Sequence, residues 1–272
     1  MALLPLPEPY DFARSTERYR AFGPDLANLW HEGGVHRVFD GREVRIEAAT
    51  GGVEVEPFEP RGVLHYLGGP FDLDTFYSFA ESDRVLARIV HELRGLRPPL
   101  NPDPYETLVT SITAQQVSLR SAFAVRNRLI ERFGVRAAHA WGFPTEERLA
   151  SATDEELIEI GFSRRKAEYV LGLARAGVEW DELAGLPDEE LKARIVALRG
   201  LGEWTADWFM ARHLARPRAW PAGDLGLVKA LAEYYFDGMR PSLAETRAFG
   251  ERFAPFENLS AHYLLASLYA IP

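Results

Sequence analysis

The 272-residue sequence contains no cysteine, and only three of its 31 basic residues are lysine: Lys166, Lys192 and Lys229. The first absence excludes disulfides, iron–sulfur clusters, thiolate zinc sites and cysteine nucleophiles, and makes a cytoplasmic setting the natural expectation. The second leaves arginine to carry the positive charge. Its planar fork suits phosphate oxygens, although a GC-rich genome produces the same bias. No apolar run approaches the length of a membrane-crossing helix, and the opening MALLPLPEPYDF lacks the basic and long apolar regions of a secretory leader. Positive charge is also short. A net charge of −9 argues against holding a polyanion through the overall field and leaves only a local site for one. Gly (22) and Pro (18) are ordinary in number, which excludes collagen-like and low-complexity chains.

What is present is 47% hydrophobic, enough to bury at least one core in one or two domains. Residues 1–80 carry 13 acids against 7 bases, leaving only −3 of the net charge to residues 81–272. Between 118 and 136, five arginines (Arg120, Arg126, Arg128, Arg132 and Arg136) face Glu131 alone, a pattern that reads as a solvated helix face or a phosphate-contacting one. Val35 to Glu47 alternates apolar and polar around Asp40-Gly41, a two-residue hairpin signal. Val53 to Val55 and Val63 to Leu67 read as further strands, and residues 15–30 as a helix ahead of the hairpin. From Asp72 the period becomes helical. Helices are expected over 72–94, 103–116, 118–133, 145–151, 154–160, 164–176, 188–198, 203–215, 224–236, 243–253 and 258–270. The expected class is therefore α+β: a small antiparallel-sheet domain over 1–80, then an all-helical portion of two lobes over 81–272. Asp154-Glu155-Glu156-Leu157 and Asp188-Glu189-Glu190-Leu191 begin similar helix–turn–helix units 34 residues apart, but no third copy supports a solenoid.

The stretch Leu198 to Ala206, LRGLGEWTA, ends one helix, turns through Gly200 and Gly202, and starts another. Glycine permits positive φ and close approach of a second backbone. The first turn of the new helix offers unpaired N–H groups and the positive end of its dipole, so it can hold one phosphate without a basic side chain. An ordinary pair of helices with glycine caps has the same sequence. Trp204 and Trp208, at i and i+4, project from one face. Asp224 follows Trp204 by 20 residues, where another helix should begin. Two indoles and a carboxylate on one cleft would suit a flat, electron-poor or cationic ring, while core tryptophans and a helix-capping aspartate remain the plain alternative.

These features together resemble the helix-hairpin-helix DNA glycosylase superfamily. The likeness spans Asp83 to Tyr269, with the hairpin at about 188–215. It includes NPDPYETLVTSITAQQVS (Asn101 to Ser118), similar to the family's DPFExLVxxIxxQQVS, and GFSRRKAEYV (Gly161 to Val170). The small sheet domain before the helical lobes is similar to the bacterial 3-methyladenine DNA glycosylase II type. The resemblance implies a monomeric enzyme that flips an alkylated base from duplex DNA and hydrolyses its N-glycosidic bond, in base excision repair. Asp224 matches the catalytic aspartate, stabilising an oxocarbenium-like sugar or orienting the attacking water. A base alkylated at N3 or N7 is already cationic and leaves without a strong general acid. Trp204 and Trp208 would line its pocket by stacking and cation–π attraction. Gln116 matches the residue that fills the gap in the duplex. The amides of Gly200, Gly202 and Thr205 match the phosphate donors, and the carbonyls of Val196, Leu198 and Leu201 match those that hold a monovalent cation, Na⁺ or K⁺.

Absences and departures narrow the expectation. Trp204 stands where lyase-active members carry a Schiff-base lysine, and Lys229 is five residues after Asp224 on another face of its helix, so water should be the only nucleophile. Leu268 stands where the closest relatives carry a pocket aromatic, which predicts a wider pocket that Trp at 268 would narrow. Arg199 replaces a common proline and is expected to add a phosphate contact. His31, His36, His65, His91, His139, His213 and His262 are scattered without ligand spacing, so neither zinc nor iron is expected and no cofactor is required. Asp207 and Asp237, rival carboxylates, read as solvated. Three other readings stay open: a catalytically silent damage-recognition module, a glycosylase for oxidised or deaminated bases, and an acidic helical scaffold.

Overall fold

The computed structural model describes residues 1–21 and 23–270. The chain starts with β1 (Ala2–Pro5), α1 (Phe12–Ser15) and α2 (Arg18–Ala21), followed by β2 (Leu29–His31), β3 (Gly34–Phe39), β4 (Arg42–Ala49) and β5 (Gly52–Glu56). The strands form one antiparallel sheet in the order β1-β5-β4-β3-β2. Asp40 and Gly41 both adopt positive φ, as a twisted two-residue hairpin requires, and set the register Phe39↔Arg42 through Val35↔Ile46. That register puts Val35, Val44, Ile46, Val53 and Val55 in one core, covered by Val63, Tyr66 and Leu67 of α3 (Pro60–Tyr66) and the residue after it.

Two expectations fail in this region. Val63 to Leu67 is helical, because Glu59 accepts the Val63 amide at 3.1 Å and Pro60 supplies a preformed first turn. Five apolar residues cannot by themselves distinguish a strand from a buried helix. The span 15–30 is not one helix either. Arg20 is followed by a turn in which Asp25 accepts the amides of Ala27 and Asn28, and β2 begins one residue later. Phe22 within that span lies outside the described residues.

The helical portion has two cores. One gathers α6 (Pro104–Ala114), α7 (Leu119–Phe133), α8 (Glu146–Ala150), α9 (Asp154–Glu159), α10 (Arg164–Ala174), α11 (Trp180–Gly185), α12 (Asp188–Ala197) and α13 (Glu203–Arg212). The strand pair β6 (Val135–Arg136) and β7 (Trp141–Gly142) interrupts it. The other joins α4 (Leu73–Ala80) and α5 (Arg84–Glu92) to α14 (Leu225–Tyr235), α15 (Leu243–Gly250) and α16 (Glu257–Ala270). The single helix expected over 72–94 is two, because Asp83 caps a new one through the amides of Val85 and Leu86. The cores part between Leu67 and Phe71, so α4 packs with the helices although the sequence places the boundary at 80.

A buried ionic network ties the sheet to the helices. Arg37 of β3 donates to Glu106 of α6 at 2.6 Å, and Arg126 of α7 bonds both Asp25 and Glu106. All four side chains are almost fully buried. Burial works to raise the Asp25 carboxyl, but the Arg126 charge and the Asn28 amide outweigh it and hold it below its ordinary value. Arg126 therefore does not belong to a solvated face. Arg128 reaches the Ile160 carbonyl and Arg132 meets Glu156, so that run of arginines mostly stitches the lobe together.

Candidate active site

Between α12 and α13 the chain turns through Leu198–Gly202. Gly200 has φ +91°, and a Cβ there would lie 2.2 Å from the Tyr169 ring, so both the conformation and the packing call for glycine. Gln115, at the end of α6, donates to the Gly200 carbonyl at 2.9 Å and pins the turn in place. Gly202 caps α13 without a side chain, and the space beside it is open. The first bond of α13 runs from Ala206 N to Gly202 O, so the N–H groups of Glu203, Trp204 and Thr205 precede the helical ladder. The Thr205 side chain is buried beneath them. Arg199 is exposed and pairs with Glu168 at 3.0 Å. Leu198 ends α12 in extended conformation with its carbonyl accepting the Leu201 amide at 3.1 Å, and Val196 lies exposed on the last turn.

The indole–carboxylate spacing converges, but by edges and not by faces. Trp204 Nε1 and Trp208 Nε1 donate to Asp224 Oδ2 at 3.1 and 3.0 Å. Oδ1 of the same carboxylate accepts the amides of Gly226 and Leu227 at 2.9 and 3.1 Å, which starts α14. Four donors thus occupy both oxygens, and the half-buried carboxylate is fixed in orientation.

Asp224 opens into a cleft of about 1390 Å³ where the three cores meet. Arg212, the next residue in the i, i+4 series after Trp204 and Trp208, lays its guanidinium 3.7 Å over the Trp208 ring. Burial pushes Arg212 down to about 9, with Arg18 acting in the same direction and Asp224 opposing. It is therefore still cationic at neutral pH. His262 of α16 also lines the cleft, and burial followed by the charges of Arg212 and Arg18 drives its imidazole well below the ordinary value, so it is neutral. Arg212 is the cleft-lining residue the sequence reading overlooked. The signal was the 204-208-212 spacing itself.

Part of the cleft mouth is apolar. Gln116 is exposed there with φ +55°, a strained conformation for a non-glycine residue. Val117 and Leu119 beside it and Leu225 across from it, at 81% exposure, are open to solvent. Leu268 is not brought to the cleft. It packs against the second helical core, while His262, Leu265 and Ala266 present α16 to the cavity. Among the described residues no lysine lines the cleft: Lys166 caps the Thr113 carbonyl, Lys192 pairs with Asp207 at 2.8 Å, and Lys229 is exposed. Asp207, expected to be solvated, is buried in that pair, whereas Asp237 is exposed. The histidines are not all scattered either: His31, His36 and His139 gather beside Glu43, away from the cleft.

The chain matches the family model of the HhH-GPD superfamily of base excision DNA repair proteins over residues 109–255. It is 26% identical over 244 residues to "DNA-3-methyladenine glycosylase" of Bacillus subtilis, covering 85% of this chain and 80% of that protein. It is 31% identical over 180 residues to "DNA-3-methyladenine glycosylase 2" of Escherichia coli, covering 64% and 61%. Among solved structures, a 3-methyladenine DNA-glycosylase from Archaeoglobus fulgidus superimposes with a TM-score of 0.89 at 26% identity, each chain covered in full.

Proposed function

The chain belongs to the HhH-GPD superfamily of base excision DNA repair proteins, and from that premise and the site geometry we propose that it is a monofunctional DNA glycosylase acting on alkylated bases of the 3-methyladenine class. The observation that carries this reading is Asp224, oriented by four hydrogen bonds in a large cleft that Trp204, Trp208 and Arg212 of α13 also line.

Duplex DNA would rest one phosphate on the amides around Gly202–Thr205, as the resemblance implies for this hairpin. Arg199 would join them on leaving Glu168. The exposed Gln116 and Val117, with Leu225 opposite, would enter the space left by the flipped nucleotide. Asp224 then faces the sugar. With both oxygens already accepting from protein donors, it serves as a fixed negative charge beside C1′ as the C1′–N bond breaks, more than as a base that strips a proton from water. The bond's electron pair leaves with the base. Water adds to C1′ and releases its proton to solvent. Among the described residues no lysine lines the cleft to form a Schiff base, which supports hydrolysis without strand cleavage. Val196 lies in the last turn of α12 and Leu198 and Leu201 in the turn that follows; their carbonyls, of which that of Leu198 already accepts the Leu201 amide, would hold a monovalent cation that braces the turn.

Arg212 favours a second reading of the substrate. Its guanidinium covers the face of Trp208 on which a cationic base would stack, and a second positive charge there is repelled. A neutral lesion, oxidised, deaminated or bridged, could instead stack on the guanidinium plane. The test is base release from duplexes that carry one lesion each. Release of 3-methyladenine with no strand cleavage supports the main reading. Release of only neutral lesions transfers the assignment to the second. Binding without release by wild type would make the chain a recognition module.

A further inference from the structure

We propose that His36, Glu43 and His139 form a binding site for one divalent transition-metal ion of the zinc class, at the junction of the sheet with the helical lobe. His36 lies on β3 and Glu43 on the paired strand β4, whereas His139 comes from the loop joining β6 to β7 in the helical portion. Glu43 Oε1 meets His36 Nδ1 at 2.7 Å and His139 Nδ1 at 3.1 Å, so two imidazoles converge on one carboxylate oxygen. The potential ligand atoms of the three residues all lie within 4.8 Å of one another. Ligand atoms about 2.0–2.1 Å from a tetrahedral zinc are roughly 3.3 Å apart, so the two contacts to Glu43 Oε1, now 2.7 and 3.1 Å, would lengthen by about 0.6 and 0.2 Å to admit the ion.

The surroundings fit a ligand set. His36 is 3% exposed, and among the described residues its other ring nitrogen, Nε2, has no partner, so Glu43 is the imidazole's only hydrogen-bond partner there. The second oxygen of Glu43 accepts the amides of His139 and Ala140 at 2.8 and 3.2 Å, an outer-shell brace that fixes the carboxylate's direction. Two imidazoles and a carboxylate are a donor set that zinc and its neighbours prefer over calcium or magnesium. The fourth position is left to water. His31, whose ring stacks on His139 at a centroid distance of 4.9 Å, walls the solvent side. The sequence reading excluded zinc because no two histidines have ligand spacing. The partners lie 7 and 96 residues from Glu43, and only the β3–β4 register and the docking of the β6–β7 loop bring them together.

An ion here would clamp the sheet to the helical lobe on the side away from the cleft. The test uses full-length, tag-free protein stripped with chelator and titrated with Co²⁺, then with Zn²⁺ as competitor. One Co²⁺ per chain with the intense d–d absorption of four-coordination, displaced by Zn²⁺, is expected. Saturating Zn²⁺ should raise Tm by about 5 °C, which corresponds to a free ion near a hundred times its Kd. His139→Ala, at a half-exposed position, and Glu43→Gln should each abolish both effects. The Tm of His139→Ala in chelator should stay within about 2 °C of the parent, which shows that it folds. Failure of wild type to bind Co²⁺ saturably, or equal binding by a folded His139→Ala, overturns the proposal. Neither outcome bears on base release.

Discussion

Replacing Asp224 by asparagine tests the site most directly, because the four neighbours of the carboxylate are all donors. Asparagine has one oxygen. Whichever way its amide turns, its NH₂ group faces either the two indole N–H groups or the amides of Gly226 and Leu227. The helix-capping orientation keeps the backbone pair, so Trp204 and Trp208 would lose their acceptor. Two lost hydrogen bonds cost about 2 kcal/mol, which lowers Tm by roughly 3–4 °C in a chain of this size. The effect on rate should be larger. A unit charge about 4 Å from a developing oxocarbenium, at an effective dielectric near 20, contributes about 4 kcal/mol, or roughly a thousandfold. Single-turnover base release from methylated duplex DNA reads that loss, and affinity for duplex containing an abasic site reads binding. The expected result is release slowed about a thousandfold, with affinity changed less than fivefold. Release within tenfold of wild type would refute the electrostatic role, because a merely structural aspartate would show the Tm loss alone.

Four further outcomes follow from other contacts. Arg212→Met removes the charge over Trp208 and should raise the release of 3-methyladenine relative to a neutral lesion by at least tenfold in kcat/KM; an unchanged ratio would show that Arg212 does not set the charge preference. Gly200→Ala forces a Cβ against Tyr169 at positive φ and should cost about 2 kcal/mol by urea denaturation, of which Tyr169→Ala in the same chain restores the steric share; strict additivity would deny the clash. Glu106→Gln leaves Arg37 and Arg126 short of a buried charge partner and should destabilise by about 3–5 kcal/mol; a loss under 1 kcal/mol would show that the network is not worth its geometry. His213 is held neutral, pushed down to about 4 by burial, while the unfolded chain titrates near 6.5. The unfolded state therefore takes up the proton first as pH falls, and stability declines from about pH 6.5 to 4 by at most about 3 kcal/mol. His213→Gln should flatten that decline in pH-dependent denaturation.

The features legible in the sequence are those set by short-range rules. Asp40-Gly41 specified a hairpin through two positive φ angles, and the sheet register followed. Asp103, Ser118, Ser163 and Ser242 mark helix starts that the structure caps with those side chains. What failed locally did so for a stated reason. Val63 to Leu67 satisfies strand and helix patterns alike, and only the Glu59-Pro60 start decides between them. What stayed hidden depends on tertiary docking. Arg126 on α7, Asp25 in the N-terminal turn and Glu106 on α6 carry no shared spacing, yet they form the buried junction of the two halves. The same holds for the histidines around Glu43.

The site itself divides along that line. The i, i+4 indoles and an aspartate 20 residues on were enough to place three side chains together, but spacing does not say which edge of a ring faces which atom. The structure turns both indoles edge-on, so they orient the carboxylate and leave the stacking role to a face that Arg212 then covers. Extending the periodicity by one more turn, from 204 and 208 to 212, puts a cation in the pocket that was expected to welcome cationic bases. A chain of net charge −9 thus places a half-buried guanidinium in the same cleft as its catalytic candidate. The charges of Arg212 and Asp224 offset one another, while Arg18 adds a further positive charge to the cleft. If the chain acts as proposed, selection among lesions is then left to shape and stacking, with charge deciding between a base that is already cationic and one that is not.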